Sequence, residues 1–331
     1  MDYKFFGRTG VKISSLCFGT MSFGGDADKA ASEEMFKLCR DNGINFFDCA
    51  DVYSAGTAEE YLGEFIRDCR RDVVITSKVY FPTGKGINDG GSTRKHIRHA
   101  LEDSLRRLGT DYIDIYFLHR FDDCTSLEET LSVLDDLVHQ GKILYAGVSN
   151  FSAWQTQKTV DMAVLRGYSR VACVQPMYNL VKRQAEIEIL PQALSEGLAV
   201  FPYSPLGGGL LTGKYSSSHP PEQGRLINNA MYKTRYGLNW MEETAARYTE
   251  FAENLGLNPV SLAIAWSASH PAVTAPIIGA RNTAQLRDCL KALEIDMGGG
   301  LREKVSALSP EPAPSTDRNE EKTPHNYGVR K

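Results

Sequence analysis

Eight short runs rich in β-branched and aromatic residues recur along the 331-residue chain, and between them the apolar spacing lengthens to that of a helix. The runs are Leu16–Ser22, Asn45–Asp51, Val73–Val79, Ile113–Arg120, Leu144–Asn150, Ala172–Asn179, Leu198–Pro205 and Ala275–Arg281. The helical spacing is clearest at Ile97, Leu101, Leu105 and Leu108, where Gly109 supplies a stop. Alternating strands and helices demand parallel strands joined by crossovers, which either close into a barrel or lie as an open, doubly wound sheet. The count of eight favours an α/β fold of the (β/α)8 TIM barrel type. The open alternative would carry a glycine fingerprint after its first strand. Here Phe23-Gly24-Gly25-Asp26 follows that strand, with no G-x-G-x-x-G. One barrel accommodates this length, so residues 1–308 are expected to form it. Residues 309–331, with several prolines and mixed charge, are expected to be a flexible tail.

Local signals agree with this alternation. Thr57 with Glu60, Ser126 with Glu129, and Ser152 with Gln155 read as capping boxes at helix starts. Gly43, Gly109, Gly141 and Gly197 stand where helices should end. Two stretches break the rhythm: 82–92, rich in glycine and polar residues, and the long segment from Gly207 to about Asn239. Long loops in compact domains usually serve function.

Several function classes are disfavoured. A net charge of −4 creates no field for nucleic acid or an anionic membrane. No apolar run reaches the roughly 18 residues a membrane helix needs, and the start shows no signal-peptide pattern. The seven cysteines are odd in number and contain no C-x-x-C pair. This argues against a disulfide framework or zinc ribbon and fits a cytoplasmic location. No metal site is expected: His96 and His99 fall on an outer helix, and His119 is isolated from other ligands.

Active sites of such barrels lie at the C-terminal ends of the strands. Asp48 and Tyr53 end the second strand, Lys78 the third, His119-Arg120 the fourth, and Ser149-Asn150 the fifth. Gln175 lies on the sixth, Tyr203-Ser204 on the seventh, and Gly279-Ala280-Arg281 on the eighth. A free phenol, with a pKa of about 10, is a poor proton donor near neutrality. A neighbouring ammonium should lower that value. Tyr53 is therefore read as a general acid, Lys78 as its tuning partner and Asp48 as the anchor of Lys78. His119 can donate a hydrogen bond to a carbonyl oxygen as charge develops on it. Such a site suits carbonyl reduction, with hydride from a cofactor because no side chain supplies one. Ser149, Asn150 and Gln175 can bind a carboxamide, and Tyr203 can stack on a flat ring. Asn282 with Gln285 signals a helix start, where Arg281 can grip a phosphate. Phe23, Tyr80, Phe81, the loop after Arg120 and the loop from Gly207 are expected to select the substrate.

These motifs resemble the aldo-keto reductases. The matching segments are Phe47-Asp48-Cys49-Ala50-Asp51-Val52-Tyr53 with Gly63-Glu64, Thr76-Ser77-Lys78, Asp111-Tyr112-Ile113-Asp114 leading to Leu118-His119, and Gly147-Val148-Ser149-Asn150-Phe151. Gln175-Pro176-Met177-Tyr178-Asn179, Tyr203-Ser204-Pro205-Leu206 and Pro276-Ile277-Ile278-Gly279-Ala280-Arg281 complete the series, in family order, from about Tyr3 to Leu308. The resemblance implies a (β/α)8 barrel with Asp48, Tyr53, Lys78 and His119 as the catalytic tetrad. It implies reversible, NADPH-dependent reduction of aldehydes or ketones to alcohols. It implies NADP(H) as the preferred cofactor, with NAD(H) as the alternative. It also implies cofactor contacts from Ser149, Asn150, Gln175, Tyr203, Ser204, Leu206, Lys214, Arg225, Gly279, Arg281, Gln285 and Asp288. Cys289 stands where many members carry asparagine, and Gln285 replaces the arginine of the aldose-reductase branch. The pattern is closer to the branch with potassium-channel beta subunits and related microbial reductases. The implied partner is a small carbonyl or alcohol substrate, with a homo-oligomer left open. Two other readings compete: a nicotinamide-sensing regulatory subunit of a membrane protein, and a lyase using Lys78 as a Schiff base.

Overall fold

In the computed structural model, residues 1–215 and 224–323 are described. The strands, in chain order, are β1 (Tyr3–Phe5), β2 (Lys12–Ser14), β3 (Cys17–Gly19), β4 (Phe46–Asp48), β5 (Val74–Val79), β6 (Ile113–Leu118), β7 (Ile143–Ser149), β8 (Val171–Gln175), β9 (Ala199–Val200) and β10 (Ile277–Ile278). From β3 to β10 they make one parallel sheet, with β10 returning beside β3. The remaining seam closes through backbone bonds from Ala275 N to Val200 O (3.3 Å) and Ile277 N to Pro202 O (2.8 Å). The fold is a (β/α)8 barrel, and each of the eight sequence runs overlaps one barrel strand.

Strand side chains alternate between faces, and that alternation splits the core in two. Cys17, Phe46, Val74, Ile115, Phe117, Cys173, Phe201 and Ile277 fill the barrel interior. Their neighbours Phe18, Phe47, Ile75, Tyr116, Val148, Val174, Val200 and Ile278 face the helices. Two residues beyond an interior position the chain points inward again. Phe46 therefore leads to Asp48, Thr76 to Lys78, Phe117 to His119, Gly147 to Ser149 and Cys173 to Gln175. This parity delivers polar groups from five strands to one end of one cavity. Gly147 is part of the packing: a Cβ there would meet Phe117 Cε1 at 2.5 Å and Cys173 Sγ at 2.6 Å.

The structure departs from the sequence expectations in four places. The β1–β2 hairpin was not anticipated; its Phe6 and Ile13 join the interior cluster, Phe6 lying 5.2 Å from Tyr145 and 5.6 Å from Phe201. Only the Ser152–Gln155 capping box forms in both directions. Thr57 lies inside its helix behind Gly56, and Glu129 accepts the Arg94 amide instead of returning to Ser126. The long segment after the seventh strand holds a 3-10 stretch, Gly207–Thr212, and helices Arg225–Asn228 and Ala230–Tyr236. Finally, burial continues past residue 308 to Ser309 and Pro312. Residues 324–331, the end of the expected tail, lie outside the described residues, as does 216–223.

Helix Thr57–Ile66 crosses the end of helix Arg94–Leu108 at Gly63. A Cβ there would sit 2.6 Å from the Leu108 carbonyl carbon and 2.7 Å from its Cα. That contact is with backbone and cannot yield by rotating a side chain. Gly63→Ala should therefore destabilise the fold by about 2 kcal/mol, against the stabilisation of up to about 1 kcal/mol expected in a free helix. Urea unfolding of the two proteins reads the sign directly.

Candidate active site

At the carboxyl end of the barrel Lys78 is fully buried, and its three donors are all used. Nζ donates to Asp48 Oδ2 (2.7 Å), to the Cys49 carbonyl (2.7 Å) and to the Tyr53 hydroxyl (3.3 Å). The other oxygen of Asp48 accepts from Thr76 Oγ1 and Gln175 Nε2, both at 2.8 Å. The carboxylate is thus held by three donors from two strands, β5 and β8. His119 stands edge-on to the Tyr53 ring, with centroids 6.2 Å apart. The structure therefore brings together all four residues expected to carry the chemistry.

Burial and charge set the protonation states. Burial pulls the Lys78 ammonium down, but Asp48 and the Tyr53 oxygen outweigh it, so its pKa is raised and Lys78 is charged. A charged, triply bonded ammonium is unsuited to Schiff-base attack, which removes the support for a lyase. Lys78 pulls the Tyr53 pKa down as expected, but the net shift is upward. Burial pushes the phenol above its ordinary value, and Lys78 offsets that shift only in part. Burial and then Lys78 lower the His119 pKa to about 3, so the imidazole is neutral at pH 7. Its Nδ1 is buried without a partner among the described residues. An orphaned N–H costs more than an orphaned lone pair, which assigns the proton to Nε2.

A cavity of about 770 Å³ opens over this group. Asp48, Tyr53, His119, Ser149, Asn150, Gln175, Tyr203, Ser204, Leu206, Lys214, Arg225, Gly279, Arg281, Gln285 and Asp288 all line it. Several of them are also engaged with the protein. Gln175 supports Asp48, Asn150 Oδ1 accepts from the Tyr203 hydroxyl (2.7 Å), and Gln285 Oε1 accepts the Arg281 amide (3.0 Å). Asn282 caps helix Thr283–Leu290 through the Gln285 amide. Arg281 Nε lies 3.0 Å from Asp26 Oδ2, and Arg225 approaches the same oxygen at 3.8 Å. Lys214 lies 4.8 Å from the Tyr215 ring centre. Asn150 and Ser204 on the cavity wall, and Ser54 and Ala55 directly after Tyr53, hold positive φ (48° to 57°). Such strain is typical of a site that fixes its groups in place.

The substrate expectations divide. Phe81 lines the cavity, 5.0 Å from the His119 ring. Tyr80 stands behind it, edge-on at 5.3 Å. Phe23 is a correction: it is fully buried, packed on Phe18 and Phe65 away from the cavity, and Met21 and Ser22 hold the wall instead. The sequence reading also missed Asp26, Arg235 and the buried carboxylate Asp51. Asp51 alone had a signal, its place between Asp48 and Tyr53.

Glu59, also buried, is bonded by Ser77 (2.5 Å) and Arg107 (2.6 Å). Asp51 has no well-aligned partner on either oxygen among the described residues, and neither has the buried Tyr116 hydroxyl. Burial, then Glu59, raise the Asp51 pKa from 3.8 to about 7, outweighing Val52, Arg107 and Lys78. Between those values the unfolded chain has lost a proton that the fold retains, so stability falls as pH rises from about 4 to 7. Asp51→Asn should therefore match the wild type near pH 4 and exceed it above pH 7, by up to about 4 kcal/mol. Unfolding at pH 4.5 and pH 8 tests this. The low His119 pKa acts in the opposite sense, with stability lost as pH falls below 6.5, but it is common to both proteins and cancels. An equal offset at both pH values would mean that Asp51 keeps no proton at neutrality.

Residues 15–298 match the family model described as the aldo/keto reductase family. An uncharacterized oxidoreductase of Bacillus subtilis, YrpG, is 36% identical over 96% of this chain and 98% of its own length. A probable voltage-gated potassium channel subunit beta of Oryza sativa is 37% identical over 89% of this chain and 92% of its own. A putative aryl-alcohol dehydrogenase of Schizosaccharomyces pombe is 33% identical, again over 89% and 92%.

Proposed function

The chain belongs to the aldo/keto reductase family, an oxidoreductase family, and on that footing we propose that it reduces aldehydes or ketones to alcohols, reversibly, with NADPH as hydride donor and Tyr53 as proton donor. The observation that carries this reading is the saturated Lys78 ammonium, tied to Asp48 on one side and to the Tyr53 hydroxyl on the other.

A bound nicotinamide dinucleotide would supply the hydride. The protein's part is to hold the carbonyl and deliver a proton. Neutral His119 donates from Nε2 to the carbonyl oxygen, favouring the charge that grows there as hydride reaches the carbon. Tyr53 then releases its proton to that oxygen, completing the alcohol, and phenolate charge appears 3.3 Å from the Lys78 ammonium. The ammonium need not make the resting phenol acidic; it has only to favour the state in which the proton has left. Asp48, anchored by Thr76 and Gln175, keeps the ammonium in place.

The donor set fits such a cofactor. Tyr203 presents a ring beside Asn150 and Gln175 at the tetrad end. At the other end Lys214, Arg225 and Arg281 line the wall, next to the capped start of helix Thr283–Leu290. Arg225 and Arg281 already converge on one carboxylate, Asp26, and a 2′-phosphate could take its place. This favours NADPH over NADH.

A second reading, a nicotinamide-binding regulatory subunit of a membrane protein, draws on the plant relatives named as potassium channel beta subunits. The presence of His119 in the tetrad favours turnover.

Tyr53→Phe should reduce carbonyl turnover by at least 100-fold while NADPH still quenches protein fluorescence with the wild-type affinity. Undiminished turnover would remove Tyr53 as the acid, and tight NADPH binding by a wild type that turns over no carbonyl would favour the regulatory reading. Arg281→Ala should weaken NADPH by roughly tenfold or more and NADH by much less. Equal losses in the same titration would show that Arg281 does not read the 2′-phosphate.

A further inference from the structure

The cations on the cavity wall are not all answered. Arg225 and Arg281 share Asp26. Arg120 and Arg235 also line the cavity, and no ion pair is formed by either among the described residues. The acidic residues nearest Arg120 in sequence do not serve it. Asp122 accepts from the Ser92 and Cys124 amides and from Thr125 Oγ1, holding its own loop together, and Asp123 is exposed. Of the acidic side chains on the wall, Asp48 is committed to Lys78 and Asp288 is paired with Lys291 at 3.1 Å.

Arg120, itself exposed, stands at the end of a series of ring contacts. Its guanidinium lies 5.9 Å from the Tyr80 ring centre, Tyr80 meets Phe81 edge-on, and Phe81 meets His119 edge-on. This chain of rings leads from the catalytic imidazole to the guanidinium and puts Arg120 on the His119 side of the cavity. Arg281 and, through the shared Asp26, Arg225 lie by the helix start at Thr283. A substrate seated against His119 and Phe81 therefore passes in front of Arg120. A neutral substrate that covers the guanidinium removes its water and returns nothing, whereas a carboxylate returns two charge-assisted hydrogen bonds in a planar fork.

We propose that Arg120 is a specificity-determining residue and that the preferred substrate is a carbonyl compound bearing a carboxylate several bonds from the carbonyl. This rests on the carbonyl-reductase reading and narrows it to anionic substrates. Arg235, over the Tyr232 ring at 5.4 Å, adds positive potential to the same cavity.

The test compares 3- and 4-carboxybenzaldehyde with their methyl esters, in the complete chain with NADPH. The wild type should favour at least one carboxylate over its ester by about 10- to 100-fold in kcat/KM, the range of one charge-assisted pair. The preference should reside mainly in KM and shrink with added salt. In Arg120→Leu the carboxylate-to-ester ratio should fall close to one, and Arg120→Lys, which keeps the charge and loses the fork, should fall between. A ratio near one in the wild type, or an unchanged ratio in Arg120→Leu, overturns the proposal and leaves the reductase reading intact. Calorimetry of 3- and 4-(hydroxymethyl)benzoate and their methyl esters, binding to the NADP-loaded protein, gives a readout independent of turnover. Arg120-dependent selectivity there, without turnover of any carbonyl, would support the anion site and count against the reductase. Loss of selectivity in binding overturns the anion site.

Discussion

The buried pair of Lys78 and Asp48 is the constraint around which the site is organised. Two charges removed from water are tolerable only when their geometry is good and their remaining donors and acceptors are satisfied. Here every demand is met: the third donor of Lys78 reaches Tyr53 only because Asp48 and the Cys49 carbonyl take the other two. Meeting them requires β4, β5 and β8 at fixed register, because Asp48, Thr76, Lys78 and Gln175 come from those strands. The barrel below supplies that register through its interior packing, with Phe46, Phe117 and Phe201 filling the space beneath the polar layer. The catalytic arrangement is therefore tied to the hydrophobic core directly, and a shift of one strand would unpair a buried charge.

The same low-dielectric setting sorts the neighbouring groups by whether they have partners. Glu59 has Arg107 and Ser77. Asp51, close enough to feel Glu59, has no such support, and its proton stays on to about neutrality. Two carboxylates in one buried pocket are not both comfortably charged, and partner supply decides which one is. His119 follows the same rule, neutral because burial and a nearby ammonium both oppose its protonation. In the proposed mechanism, neutrality suits a hydrogen-bond donor that leaves the acid's part to Tyr53.

Much of this was legible in the sequence because it follows from periodicity. The two-residue alternation and the rule that barrel chemistry sits at strand ends were enough to collect Asp48, Lys78, His119, Ser149 and Gln175 on one rim. What was not legible depends on depth and on competition between partners. Lys78 beside Tyr53 signals a downward pull on the phenol, but not that burial exceeds it. Phe23 follows the first strand as a wall residue would, yet Phe18 and Phe65 offer it an apolar pocket and it turns inward. Glu129 sits at capping-box spacing but finds the Arg94 amide first. The β1–β2 hairpin escapes notice because two three-residue strands give too few positions for alternation to show.

Tetrad and specificity differ in how they are built. The tetrad comes from strand ends and the turn after β4, each position over-determined by hydrogen bonds. The wall beside His119 comes from loops, with Phe81 and Arg120 following β5 and β6. These side chains hold one another mainly through ring contacts, which constrain direction more than distance. Chemistry and selectivity can therefore change independently on this scaffold. A loop substitution can re-aim a cation without disturbing the Lys78–Asp48 pair, whereas the reverse does not hold. Any change that moves Asp48 or Lys78 also moves Gln175 and Thr76, and through Gln175 the ring of polar groups shared with Ser149 and Asn150.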